Sequence, residues 1–188
     1  MATTIAAPPQ ISLPPDPRWS GGPRPLPPGT SRTGMLLGIA AISMMFIGLS
    51  SAYIVNQGLG PLWKQVQLRP LIWINTAVLL FSSYTMARAR RGLSARWLTG
   101  TLLLGIAFLA GQIGVFRLLA NEGLYLTTGR QASFYYVLTG LHGLHVLGGI
   151  IALAWTALRM KASLLGVTSI YWHFMGALWL YLLLVIFL

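Results

Sequence analysis

The chain has 188 residues, 55% of them apolar, with 21 glycines, 11 prolines and no cysteine. Only 8% are charged, and 13 lysines and arginines stand against two acids, Asp16 and Glu122. A soluble domain devotes about a quarter of its residues to charge, so an ordinary water-soluble enzyme is excluded and most of the exterior has to face lipid. The net charge of +11 does not point to nucleic acid, because the cations are scattered among apolar runs and form no basic patch. In a membrane chain they carry topology instead. Without cysteine there is no disulfide framework, thiolate metal site or catalytic thiol.

Residues 1–33 hold nine of the eleven prolines and show no apolar period. Such a segment is expected to be a disordered or extended tail, a solvated linker in preference to a docking arm. It has no apolar stretch of the length a signal peptide needs.

From Gly34 the chain alternates long apolar runs with short polar breaks. A hydrocarbon core of about 30 Å needs about 20 helical residues. Five segments meet that length, about 34–56, 70–87, 97–119, 132–158 and 167–188. The expected fold is therefore an all-α membrane protein, a five-transmembrane-helix bundle forming one domain over 34–188, preceded by the tail. Short breaks make successive helices antiparallel. The tail and the second and fourth breaks carry Arg18, Arg24, Arg32, Arg88, Arg90, Arg91, Arg96, Arg159 and Lys161; the opposite side carries Lys64, Arg69, Arg117 and Arg130. Nine cations against four place the amino terminus in the cytoplasm and the carboxyl terminus outside.

No span carries Asp, Glu or Lys near its centre. A charge there costs about 2.5–3.5 kcal/mol on insertion scales and is kept mainly for a task, so a transporter or proton path is disfavoured. His142 and His145 share a helix face, and His173 lies on the next helix. These three admit a metal or haem site, hence a small haem-carrying electron-transfer protein. The packing reading is favoured: Gly140, Gly143, Gly148 and Gly149 crowd the same helix, and Gly148-x-x-x-Ala152 is a spacing that lets backbones approach. Asn75, Thr76, Ser82, Ser83, Thr85 and Gln112 are expected to knit helices together. Tyr171, Trp172 and His173 fall near a predicted boundary, where an aromatic belt is expected. The residues alone describe a membrane protein without chemistry of its own, a profile that suits a subunit of something larger.

The run Ser133-Phe-Tyr-Tyr-Val-Leu-Thr-Gly-Leu-His-Gly-Leu-His-Val-Leu-Gly-Gly149 closely resembles a helix of subunit III of the haem-copper terminal oxidases. Tyr171-Trp-His-Phe174 with Trp179 looks like that family's last helix. Asn75-Thr-Ala-Val-Leu-Leu-Phe-Ser-Ser83 and the stretch from Gly105 to Gln112 are similar to two others. The resemblance covers about residues 34–188 and matches the short five-helix bacterial form, which lacks the first two helices of longer members. Those two helices form a V-shaped lipid-holding cleft with the rest, which here another chain has to complete if it exists.

Three positions depart from the family pattern. Ser43, Val115 and Gly176 stand where many members carry acids, so a role in proton uptake tied to those carboxylates is not implied. The resemblance implies a non-catalytic subunit of a bacterial plasma-membrane cytochrome c oxidase, which reduces oxygen and pumps protons. Haem and copper are then expected in partner subunits and none in this chain. The implied partners are subunit I, directly, together with subunit II and membrane phospholipid. A quinol oxidase or a nitric-oxide-reductase-linked complex remains an alternative. The resemblance makes Asn75, Ser82, Ser83, Gln112, His142, His145, Gly148, Gly149, Trp172 and His173 candidate packing, interface or lipid-contact residues, with no catalytic, cofactor or metal ligand among them.

Overall fold

The structure is a computed structural model that describes residues 29–55, 70–127 and 130–187. The Pro-rich stretch 1–28 and the first polar break, with Gln57, Pro61, Lys64 and Arg69, lie outside the described residues. Five helices follow in chain order: α1 Thr30–Val55, α2 Pro70–Gly92, α3 Ala95–Asn121, α4 Arg130–Arg159 and α5 Ala162–Phe187. All five are long and apolar enough to cross a membrane, and the described residues contain no strand.

Each helix follows from its sequence, but several run past the apolar stretch that announces it. Pro70 opens α2, a first-turn position where a missing N–H costs nothing and the ring presets φ. The same helix continues to Gly92 instead of stopping near residue 87, through Arg88, Arg90 and Arg91. Arginine is a good helix former, its charge suits a helix carboxyl end, and its aliphatic stem lies along apolar surface while the head reaches water. Apolarity therefore ends before helicity does. At α1 the helix likewise begins at Thr30, one turn before the apolar run at Gly34.

Two connections are consequently very short. Between α2 and α3 stand Leu93 and Ser94, with Leu93 at φ 45° and the Ser94 N–H donating to the Ala89 carbonyl at 3.3 Å. Between α4 and α5 stand Met160 and Lys161, with Met160 at φ 44°. Both turns use the left-handed conformation that commonly ends helices, without the glycine that usually occupies it. At the other end of α3, Gly123 (φ +76°) takes that role, and the Leu124 N–H donates back to Leu119 at 3.0 Å. The start of α4 holds the loop that follows: the Tyr136 hydroxyl donates to the Leu124 carbonyl at 2.8 Å and the Ser133 hydroxyl to that of Leu126.

Neighbouring pairs are α2–α3, α3–α4, α4–α5 and α2–α5, which closes a four-helix ring. The core lies inside it, built on Trp172, Trp179, Phe108, Leu79, Met86, Leu138, Leu153 and Leu182. α1 stands beside the ring. Its described ring contacts are edge-on, Phe46 with His145 on α4 and Tyr53 with Phe134, also on α4. An apolar cleft of about 260 Å³ separates it from α5, lined by Ser43, Phe46, Ile47, Phe174, Ala177, Leu178 and Tyr181.

Candidate functional site

The polar side chains of the ring are arranged in layers. At the end carrying the two short turns, Thr85 and Thr101 meet at 2.9 Å across α2 and α3, and Thr156 and Thr168 meet at 3.0 Å across α4 and α5. Thr156 donates its single proton to Ala152 on its own helix, so Thr168 donates across. The Thr85 and Thr101 hydroxyls also reach carbonyls on their own helices, Ser82 at 2.8 Å and Trp97 at 2.9 Å, so one of them gives up that bond to donate across. A cross-helix bond contributes about 0.6 kcal/mol on average in a membrane. Together the two pairs fix the register of the two hairpins.

The next layer is organised by Trp172, fully buried on α5, whose indole N–H donates to the Ser82 hydroxyl at 2.9 Å. A Cβ on Gly105 of α3 would lie 2.7 Å from its ring, and one on Gly149 of α4 would lie 3.2 Å from it. The indole is thus held between two glycines on adjacent helices and tied to a third helix. Tyr171, its neighbour, donates to the His145 carbonyl at 2.9 Å. Gly176 faces Ser83, whose hydroxyl would be 3.0 Å from an added Cβ.

Two turns further along α5, the Trp179 indole donates to the Thr76 hydroxyl at 3.0 Å. Moving up α5 from 172 to 179 moves down α2 from Ser82 to Thr76, as antiparallel helices require. Trp179 also stacks obliquely on His142 at 5.2 Å and meets Phe108 edge-on at 5.1 Å. Asn75 lies directly against Gly111. In this part of the core neither ring nitrogen of His142 has a hydrogen-bond partner among the described residues, and the same holds for the amide nitrogens of Asn75 and Gln112.

The three histidines do not share a site. His142 is enclosed by Phe108 and Trp179, His145 is half-buried with Nδ1 2.8 Å from the carbonyl of Leu141 on its own helix, and His173 is exposed. Among the described residues no three of His, Asp and Glu come close enough to hold a metal ion.

Two expectations are corrected. Trp172 belongs to no boundary belt: α5 begins at Ala162, not near 167, so this residue sits mid-helix and buried. The close approach on α4 is made by Gly149; Gly148 is exposed, and a Cβ there would touch nothing. Ser82, Asn75 and Gln112 are buried, and Ser83 is half-buried. Reading the residues alone leaves out Gly111 under Asn75 and the Thr156–Thr168 pair. Isolated hydroxyls in otherwise apolar helices were the available signal for the second.

Comparison with known proteins gives this arrangement its identity. The profile of the cytochrome c oxidase subunit III family matches residues 29–188. The chain belongs to that family. It is 32% identical over 175 residues to "Cytochrome c oxidase subunit 3" of Synechocystis sp., covering 82% of this chain and 74% of that protein. It is 32% identical over 176 residues to "Probable cytochrome c oxidase subunit 3" of Nocardia farcinica, covering 81% and 85%. "Probable quinol oxidase subunit 3" of Staphylococcus aureus is 34% identical over 128 residues, covering 60% and 64%. The layered ring is therefore that of a subunit III of a haem-copper oxidase, and its helix-spanning tryptophans lie in the matched region.

Proposed function

We propose that this chain is an accessory subunit of a bacterial cytochrome c oxidase that braces the haem- and copper-bearing subunit I and holds phospholipid against it, without a chemical step of its own. The observation that carries the proposal is the contrast between a ring closed on itself and an α1 that turns its apolar surface outward. Positions 34, 38, 41, 45 and 48 of α1 fall on one helical stripe at spacings of four and three. An added Cβ on Gly34, Gly38 or Gly48 would meet nothing. Gly34, Gly38, Ala41 and Gly48 on this stripe are small, with Met45 the exception, and small residues at such spacing permit close helix crossing, which suits a neighbouring membrane subunit.

His142 is enclosed in the core, His145 bonds its own helix, His173 is exposed, and Glu122 is exposed just past the end of α3. Nothing in that set supplies a nucleophile with its base, or a ligand cluster. The subunit sits in the plasma membrane with its amino terminus in the cytoplasm, because the short turns at 93–94 and 160–161 are flanked by Arg88, Arg90, Arg91, Arg96, Arg159 and Lys161. Reporter fusions at residues 33 and 188 are expected on opposite sides.

The main test is oxygen consumption by the oxidase purified with and without this chain. The depleted enzyme is expected to start at nearly the full rate and to lose activity faster during turnover. An enzyme inactive from the first turnover with intact haems would refute the bracing role. The Staphylococcus aureus relatives keep a quinol oxidase as a second reading; a dinuclear copper site on a co-purified subunit decides for the cytochrome c enzyme.

A further inference from the structure

A second open concavity, separate from the cleft beside α1, lies on the outer face of the α2–α3 hairpin. It is a groove of about 620 Å³ lined by Phe81, Thr85, Arg96, Trp97, Gly100, Leu103 and Leu104. Its floor is open because Gly100 has no side chain and an added Cβ there would meet nothing. Its walls are apolar and exposed at Phe81, Trp97 and Leu103. Its upper rim is cationic. Arg96 lines it directly, and the Arg88 guanidinium lies over the Trp97 ring at 5.9 Å and the Tyr84 ring at 5.7 Å.

We propose that this groove is a binding site for one anionic glycerophospholipid, its phosphate held between Arg88 and Arg96 and an acyl chain laid along Gly100, Leu103 and Leu104. The proposal rests on the chain being a membrane subunit and not on which oxidase it serves. Three features point to this ligand. Polarity runs in one direction along the groove: charge at the helix ends, aromatic rings with polar tips next, then aliphatic side chains, which is the sequence of a lipid from headgroup to tail. From Arg96 to Leu104 is eight residues, about 12 Å at 1.5 Å per residue, so the site reaches well into the hydrocarbon layer.

The charge is also uncompensated among the described residues. Arg88, Arg90, Arg91 and Arg96 fall within nine residues, and the one acid among the described residues, Glu122, lies 26 residues along α3 from Arg96, about 39 Å away. An anionic headgroup balances these cations, whereas the ammonium of a zwitterionic one would sit among them. Arg88 is held against the Tyr84 and Trp97 rings, beside the groove wall that Trp97 forms.

The test places the full-length chain in nanodiscs of phosphatidylcholine containing the same mole fraction of either brominated phosphatidylglycerol or brominated phosphatidylcholine. Bromine quenches tryptophan at short range, and the signal of Trp97 is the difference from Trp97→Phe. Two arginines near the headgroup favour the anionic lipid by about tenfold or more, so the brominated phosphatidylglycerol is expected to remove clearly more Trp97 emission. That excess is expected to vanish in Arg88→Gln/Arg96→Gln and to remain in Arg88→Lys/Arg96→Lys, which keeps both charges. Equal quenching by the two lipids overturns the proposal, and the native chain alone suffices for that comparison. A Trp97 excess that survives Arg88→Gln/Arg96→Gln also overturns it. Trp97 quenched in the free chain but shielded from both lipids in the assembled oxidase assigns the groove to a protein partner instead. None of these readings depends on oxygen consumption, so failure here is separable from failure of the bracing role.

Discussion

α1 and α5 are both 26 residues long and their most apolar stretches are nearly equal in mean hydropathy, 2.0 and 1.9, yet 11% of that stretch of α1 is buried against 50% of that of α5. Hydropathy cannot separate them because lipid tails are as apolar as leucine, so no solvent force sorts the faces of a membrane helix. What separates them is shape and a few polar tips. α5 carries Trp172 and Trp179, whose N–H groups need partners and find Ser82 and Thr76, and whose rings need space and find Gly105 and Gly149. The glycines of α1 have nothing against them. The same residue type is a socket on α3 and α4 and an unoccupied face on α1.

The strongest way to break this comparison is to remove the side chain on which it rests. Trp172→Ala deletes a fully buried indole that touches three other helices. Truncations of this kind cost about 3–5 kcal/mol. The purified chain is expected to lose most of its cooperative thermal transition in detergent, followed by circular dichroism. A melting temperature near the native one would mean that α5 is not the post around which the ring closes.

Filling the sockets is the next largest effect. Gly149→Leu drives a branched side chain into space where a single Cβ already comes within 3.1 Å of Tyr171 and 3.2 Å of Trp172. Overpacking costs typically about 1–3 kcal/mol, so the variant is expected to express with reduced yield and a lowered transition. Gly148→Leu, one residue away and exposed, supplies the control and is expected to leave the transition unchanged.

A smaller effect isolates one hydrogen bond. Thr76→Val keeps the shape beside Trp179 but removes the acceptor of its indole N–H. A stranded buried donor costs about 1–3 kcal/mol in general, whereas membrane double-mutant cycles average about 0.6 kcal/mol per bond. The variant is therefore expected near 1 kcal/mol. A parallel loss in Trp179→Phe, with no further loss in the double variant, would assign the whole effect to this bond.

Much of this was visible in the amino-acid order, for identifiable reasons. Five apolar runs of bilayer length have no alternative to helices, since backbone groups in lipid must bond within their own segment. The run Ser133–Gly149 carried the family resemblance, and the family profile covers it. Which face each helix turns inward was visible only in part. Gly149 shares the stripe of His142 and His145 at i, i+3 and i+7, which is expected to be buried, and a Cβ there meets Tyr171 and Trp172. One on Gly148, which the Gly148-x-x-x-Ala152 spacing singles out, meets nothing. Trp172 reads as a boundary residue when α5 is started at the apolar run near 167, but the first turn of α5, Ala162-Ser163-Leu164, is helical though mixed in polarity. That the nitrogens of His142, Asn75 and Gln112 lack partners among the described residues is likewise a property of three helices meeting and of no single one.

The smallest effect on the chain itself sharpens the comparison most. Gly38→Leu and Gly48→Leu place on α1 the same side chain that Gly149→Leu places on α4, but an added Cβ at either position meets nothing. Exposed substitutions of this kind usually change stability by no more than about 0.5 kcal/mol, and leucine improves helix propensity over glycine by nearly 1 kcal/mol. The isolated variant is therefore expected to melt at or slightly above the native temperature. In the cell the outcome depends on what α1 faces. If the stripe through residues 34, 38, 41, 45 and 48 packs closely on a neighbouring subunit, a leucine there forces the two backbones apart, and less of the haem-bearing subunit co-purifies with the tagged variant. If fluid lipid covers the stripe, the side chain displaces only acyl chains, at little cost, and recovery is unchanged. A variant stable alone yet poor in assembly would identify this face of α1 as a protein contact; one normal in both would assign it to lipid and confine the bracing surface to the outer faces of the ring.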